Sequence, residues 1–109
     1  MKTKISLIIS LTIIMLMAYG KKPSFETTIQ VSGNCEHCEM RIEKAAKLPG
    51  VKKVSWSQEH QNLTIAYDST IVALDDIEKS IAAAGHDTAH HKAESSVYAT
   101  LPPCCQYRP

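Results

Sequence analysis

Charge of one sign is what this sequence lacks first. Lys and Arg number 12 against 11 Asp and Glu, a net charge of +1 with His neutral. A nucleic-acid binder shows a basic face or stripe, and no such surplus exists here. Cysteine is also scarce: four residues are too few for a disulfide-packed mini-protein. There is no internal repeat and no low-complexity tract. Length excludes as much as composition does. A chain of 109 residues allows one small domain, with a shallow core. A large active-site cavity with a separate substrate domain has no room, and the chain is expected not to be an enzyme. An apolar content of 44% is ordinary for a globular domain and too high for general disorder.

No apolar run reaches the ~20 residues of a membrane-spanning helix. The longest, Ile5 to Met17, has 13 residues and is broken only by Ser6, Ser10 and Thr12. It follows the basic start Met1-Lys2-Thr3-Lys4. It precedes Ala18-Tyr19-Gly20, with small residues at −3 and −1 relative to a cut before Lys21. That is the layout of a secretory signal peptide over residues 1–20, the alternative being an uncleaved anchor. Removal takes Lys2 and Lys4 away and leaves 10 basic against 11 acidic residues in an 89-residue chain. The mature protein is therefore expected in the periplasm or otherwise exported, with no stable membrane insertion. There, thiols can oxidise.

Residues 21–24 are expected to be a linker. Phe25, Thr27, Ile29 and Val31 alternate with Glu26, Thr28, Gln30 and Ser32, the period-two pattern of a half-buried strand. Gly33-Asn34 interrupts it. Cys38, Ile42, Ala45 and Leu48 then trace one helical face, and Pro49-Gly50 ends that helix. Val51, Val54 and Trp56 predict a second strand. The polar turn Glu59-His60-Gln61-Asn62 follows, and Leu63, Ile65 and Tyr67 predict a third. Leu74, Ile77, Ile81 and Ala84 mark a second helix, with Asp75 and Asp76 in its first turn and Gly85 at its end. Residues 86–91 would supply a fourth strand. The order predicts an α+β, ferredoxin-like βαββαβ fold, with two helices on one face of a four-stranded antiparallel sheet. The domain would span 25–91, and residues 92–109 would form a C-terminal extension.

Cys35-Glu36-His37-Cys38 is the one chemically loaded motif. It falls where the first strand hands over to the first helix, so both sulfurs can face one ion. A helix N-terminus offers unpaired N–H groups and partial positive charge, which favour thiolate. Two thiolates suit Cu(I) or Hg(II), or Zn(II) when further ligands arrive. On spacing alone, a disulfide or an incidental pair remains the alternative.

The segments VSGNCEHCEMRIEKAAKLPGV, LTIAYD and IEKSIAAAGHD together resemble the heavy-metal-associated domain. This family of copper chaperones, metal-exporting ATPase modules and periplasmic mercury-binding proteins carries a G-M-T-C-x-x-C loop ahead of its first helix. The resemblance covers residues 25–89 and implies transfer or sequestration of a soft metal ion. It implies that Cys35 and Cys38 are the metal-binding thiols. Ser32-Gly33-Asn34 departs from the family's Gly-Met-Thr, so the methionine that usually anchors the loop is missing. His86 stands where the family often has an aromatic residue or Lys facing the metal loop, and is a candidate third ligand.

Of the other polar candidates, His37 lies between the cysteines but is expected to point outward. His60, His90 and His91 read as surface residues, Met40 as helix packing, and Trp56 and Tyr67 as core. In the extension, Val97, Tyr98 and Leu101 form one apolar patch before Pro102-Pro103, and Cys104-Cys105 follow. The extension is expected to fold over the CxxC loop and bring one or both of its cysteines, as candidate ligands, near Cys35 and Cys38. The alternative is a disordered tail.

The function expected is an exported carrier or scavenger of a soft metal, Cu(I) first, with Hg(II) or Zn(II) as the other ions considered. Its partner would be a metal-transporting membrane protein or another metal-binding domain. The rivals are a periplasmic mercury(II)-binding protein and a thiol–disulfide oxidoreductase. Against the last, no Trp precedes the first cysteine, and no later X-Pro lies in a strand-like context.

Overall fold

The computed structural model describes residues 24–109. The expected signal peptide, and linker positions 21–23, lie outside the described residues. The chain runs through β1 (Phe25–Gln30), α1 (Glu36–Ala46), β2 (Val51–Ser57), β3 (Asn62–Tyr67), α2 (Leu74–Ala83), a one-turn helix α3 (Ser95–Tyr98) and a 3-10 turn at Pro103–Cys105. The sheet order is β1-β3-β2, antiparallel throughout. No helix among the described residues is long and apolar enough to cross a membrane.

The alternation seen in the sequence becomes the inner face of this sheet. Leu63, Ile65 and Tyr67 of β3 are buried, while Asn62, Thr64 and Ala66 between them stay partly open. Ile29 extends the face on β1, Val31 just beyond its end, and Trp56 on β2. Phe25 shares the phase but lies at the strand's free end, 57% exposed, edge-on to Tyr67. The helices close the layer with Cys38, Ile42 and Ala46 from α1 and Ile77, Ile81 and Ala82 from α2. Ser80 Oγ donates to the Ala45 carbonyl at 2.7 Å and ties the two helices together.

The expected fourth strand is not formed as a strand. What stands in its place is a single antiparallel bridge, Val31 to Thr88, with the Ser32 N–H donating to the Asp87 carbonyl at 2.9 Å. The reason is local. Thr88 spends its own N–H on the His91 carbonyl at 2.7 Å, and its hydroxyl contacts the same oxygen. With its N–H turned to His91, Thr88 does not donate to β1, and the ladder stops at one bridge. His90 is drawn away as well, its Nδ1 meeting the buried Glu78 carboxylate at 3.0 Å. The sheet therefore has three strands, and the fold is a compact α+β arrangement with two principal helices on one face.

Beyond residue 91 the chain returns to the same core. Leu101 and Cys105 are buried within it, and Tyr98 and Tyr107 pack against it. Val97 and Tyr98 are only half-buried, and Leu101 reaches deepest of the apolar trio expected there.

Ile65 lies on the central strand and is fully buried. Truncating such a side chain loses its transfer free energy and leaves a cavity. Ile65→Ala is expected to cost about 2–5 kcal/mol in urea unfolding. A loss of less than about 1 kcal/mol would show that the sheet face is not the load on which the core rests.

Candidate metal centre

The loop between β1 and α1 is held from below before it reaches its thiols. Trp56 Nε1 donates to the Val31 carbonyl at 3.0 Å, and its ring lies directly under Gly33. A Cβ at position 33 would meet Trp56 Cζ2 at 2.9 Å and the Cys38 Cβ at 3.1 Å. Only glycine fits there, because the indole occupies the space beside it. The β2–β3 turn supplies the other supports. Gln61 accepts from the Val31 N–H through its carbonyl at 3.0 Å and from the Gly33 N–H through Oε1 at 3.1 Å. Gln58 Nε2 donates to the Asn34 carbonyl at 2.5 Å.

Cys35 is the N-cap of α1, in extended conformation, and its carbonyl accepts the first helical bonds from Cys38 and Glu39. Its own side chain does not cap the helix, so the sulfur is left for other partners. Cys38, one turn in, is fully buried. Its sulfur takes the Asn34 N–H at 3.4 Å.

All four cysteines are thiols. The Cys35 and Cys38 sulfurs are 3.4 Å apart, and Cys105 Sγ lies 3.6 Å from Cys35 Sγ. The three sulfurs all fall within 4.8 Å of one another. Cys104 is turned outward and exposed, its sulfur 3.9 Å from that of Cys105. It borders an open cleft of about 520 Å³ with His37, Met40, Arg41, Lys44 and Pro102.

His86 is placed differently from the sulfurs. It is fully buried, donates Nδ1–H to the Ser32 carbonyl at 2.8 Å and stacks on Tyr107 at 5.7 Å. Nε2 is buried with no hydrogen-bond partner among the described residues. Burial holds the imidazole below its usual pKa, and the Ser32 contact offsets this only in part. His86 thus braces the loop at Ser32 and is not one of the three converging side chains. His37 and Met40 are exposed, so Met40 does not pack under the helix, and His60 sits exposed on its turn. His91 pairs with Asp75 at 2.6 Å. Trp56 and Tyr67 are core.

Sequence reasoning passed over Gln58, Gln61, Asn34 and the Tyr107–Arg108 pair. Polar turn residues carry no local mark of what they will hold, because their partners arrive from β1 and the C-terminus.

The thiols differ in acidity. Desolvation resists ionisation of Cys35, but the Cys38 backbone N–H and the Cys38, Cys104 and Cys105 thiols outweigh it and bring Cys35 down to about 6. Burial, followed by the Cys38 and Cys35 sulfurs, pushes Cys105 strongly up. Cys104 is raised by Cys35, with desolvation adding to it. One thiolate shared among neighbouring S–H groups is a ready nucleophile and a ready ligand for a soft ion.

The heavy-metal-associated domain profile matches residues 28–87, and the chain belongs to that family. Among solved structures, the chain is similar to a presumptive copper-ion-binding protein from Bacillus anthracis. The two are 33% identical with a TM-score of 0.59, over 62% of this chain and 99% of that one. It is also similar to oxidised MerP from Ralstonia metallidurans CH34, at 26% identity and a TM-score of 0.58, over 62% and 96%. A third likeness is to a copper-binding domain from the P-type ATPase HMA7, at 26% identity and a TM-score of 0.56, over 58% and 88%. Comparison with curated proteins gives no significant match.

The acidity order predicts a sequence of alkylation. In reduced, metal-free protein, iodoacetamide should modify Cys35 with a midpoint near pH 6. A lowered pKa means that the thiolate is present above that pH and lost below it. Peptide mass mapping across pH 4–10 checks this. A Cys35 midpoint at about 8.5, the value of a free thiol, would contradict it.

Proposed function

We propose that this chain is an exported carrier or scavenger of a soft metal ion, Cu(I) ahead of Hg(II) or Zn(II). Cys35 and Cys38 hold the ion, which is passed on by thiolate exchange. The observation that carries the proposal is the pair of sulfurs 3.4 Å apart at the start of α1, one half-open and one buried. A two-coordinate ion with bonds of about 2.3 Å needs sulfurs up to about 4.6 Å apart. The observed separation is shorter than that by about 1.2 Å, a gap that rotation of the partly exposed Cys35 side chain would close. Copper leads because two of the similar structures are named for copper.

Transfer follows from low coordination. A thiolate of the partner attacks the bound ion, a three-coordinate intermediate forms, and one of this chain's sulfurs leaves. Each metal–sulfur bond broken is replaced by one formed, and no redox change is needed. The partner proposed is a metal-transporting membrane protein or another metal-binding domain, and the likeness to a P-type ATPase domain supports this. No catalytic residue is assigned. Export rests on the basic start, the apolar run and the small residues at 18 and 20. In that compartment the thiols must be loaded, or kept reduced, to remain competent.

The second reading, a thiol–disulfide oxidoreductase, draws on the same acidic Cys35. Competition against a Cu(I) chelator under anaerobic conditions separates the two. Cys35→Ser and Cys38→Ser should each weaken Cu(I) binding by at least about tenfold with the circular dichroism spectrum unchanged. Full affinity in either variant would remove that residue from the site. Turnover in an insulin-reduction assay, with no tight Cu(I) binding by the unaltered protein, would favour the redox reading instead.

A further inference from the structure

The C-terminal segment is held too firmly, and too close to the thiols, to be an appendage. Leu101 lies against Gly85, where a Cβ would meet Leu101 Cδ2 at 2.8 Å. Gly85 also has φ +108, a conformation that favours glycine. Tyr107 donates its hydroxyl to the Gly85 carbonyl at 3.0 Å, accepts the Asp87 N–H at 2.7 Å, and stacks on His86. Arg108 grips Asp87 at 2.7 Å and the Ala93 carbonyl at 2.7 Å, and its guanidinium covers the Tyr98 ring at 4.4 Å. Asn34, next to Cys35, donates Nδ2–H to the Gln106 carbonyl at 3.1 Å. The residue before the first cysteine is thus bonded to the residue after the last.

Between these anchors lies the Pro102-Pro103 turn. Pro103 opens the 3-10 turn, where a fixed φ lowers the entropy lost on ordering. The Cys105 N–H closes the turn on the Pro102 carbonyl at 2.8 Å. The turn sets the vicinal pair at different depths: Cys104 is exposed beside the cleft with its thiol still in reach of Cys35, while Cys105 is fully buried against the CxxC loop. If position 105 only filled space, any small apolar residue would serve. Packing alone does not require a sulfur 3.6 Å from Cys35 Sγ.

We infer that Cys105 is a third thiolate ligand, so that the ion bound by Cys35 and Cys38 sits among three sulfurs instead of two. The inference rests on the metal-carrier function proposed above. The geometry is of the right size: an equilateral triangle of thiolates with bonds of about 2.3 Å has edges of about 4.0 Å. The observed contacts of 3.4 and 3.6 Å, with all three sulfurs inside 4.8 Å, need only a small outward adjustment. A third sulfur shields the ion from competing small thiols. It also makes release conditional, since incoming partner thiolates must replace Cys105 as well as the two loop sulfurs, one bond formed for each bond broken.

The test is Hg(II) titration of anaerobic, reduced protein. Coordination is read from the thiolate-to-metal absorption bands and the mercury-199 chemical shift, which separate two-sulfur from three-sulfur environments. The unaltered protein should give the three-sulfur signature. Cys105→Ala should convert it to two-sulfur and weaken binding by about tenfold or more, while Cys104→Ala keeps three. A two-sulfur signature in the unaltered protein, or an unchanged signature in a folded Cys105→Ala variant, overturns the inference and leaves a two-thiol carrier. If Cys105→Ala does not fold, the unaltered protein's own signature still decides. No binding of Hg(II) or Cu(I) by the unaltered protein overturns the metal-carrier function itself, and this inference with it.

Discussion

The indole of Trp56 fixes the end of β1, and the thiol cluster depends on where that end is held. Its N–H bond to the Val31 carbonyl is buried, so breaking it strands two polar groups without water. The same ring lies against Gly33, which forces the chain to cross it closely and then rise into the N-cap of α1. Gln58 and Gln61 clamp the loop from the adjoining turn. Cys35 and Cys38 therefore sit on rigid supports, although one of them lies in a loop.

A second lock acts from the far end of the chain. Asp87 holds Arg108, while Gly85, Asp87 and His86 together hold Tyr107. All three lie in the segment that follows α2, which is itself bridged to Val31. The loop and the C-terminus are thus referenced to the same short stretch of backbone. That shared reference sets the distance between Cys35 and Cys105. It also gives the buried His86 a part to play: its ring is the surface on which Tyr107 stacks.

Much of this was legible in the sequence where the signal is local. The alternation of Leu63, Ile65 and Tyr67 and the helical spacing of Cys38, Ile42 and Ala45 depend only on near neighbours. These, with the Cys35-x-x-Cys38 motif and its flanking segments, pointed to the family that the comparisons show. The fourth strand was over-read because nothing in residues 86–91 reveals that Thr88 will bond to His91. Phe25 keeps the strand phase but lies at the strand's end, where its edge contact with Tyr67 leaves it 57% exposed. Two adjacent cysteines carry identical local information. Which one turns inward is decided by the proline turn and by anchors at Gly85, Asp87 and Asn34, contacts at long sequence separation. The polar residues that clamp the CxxC loop are silent for the same reason.

The central claim is that this cysteine cluster exists to hold a soft ion. Metal content decides it most directly, by native mass spectrometry of protein isolated anaerobically from the cells that make it. The account predicts one copper or mercury ion per chain, with a mass that shows thiol protons displaced by the bound ion. A metal-free chain that carries a Cys35–Cys38 disulfide and takes up neither ion after reduction would contradict it.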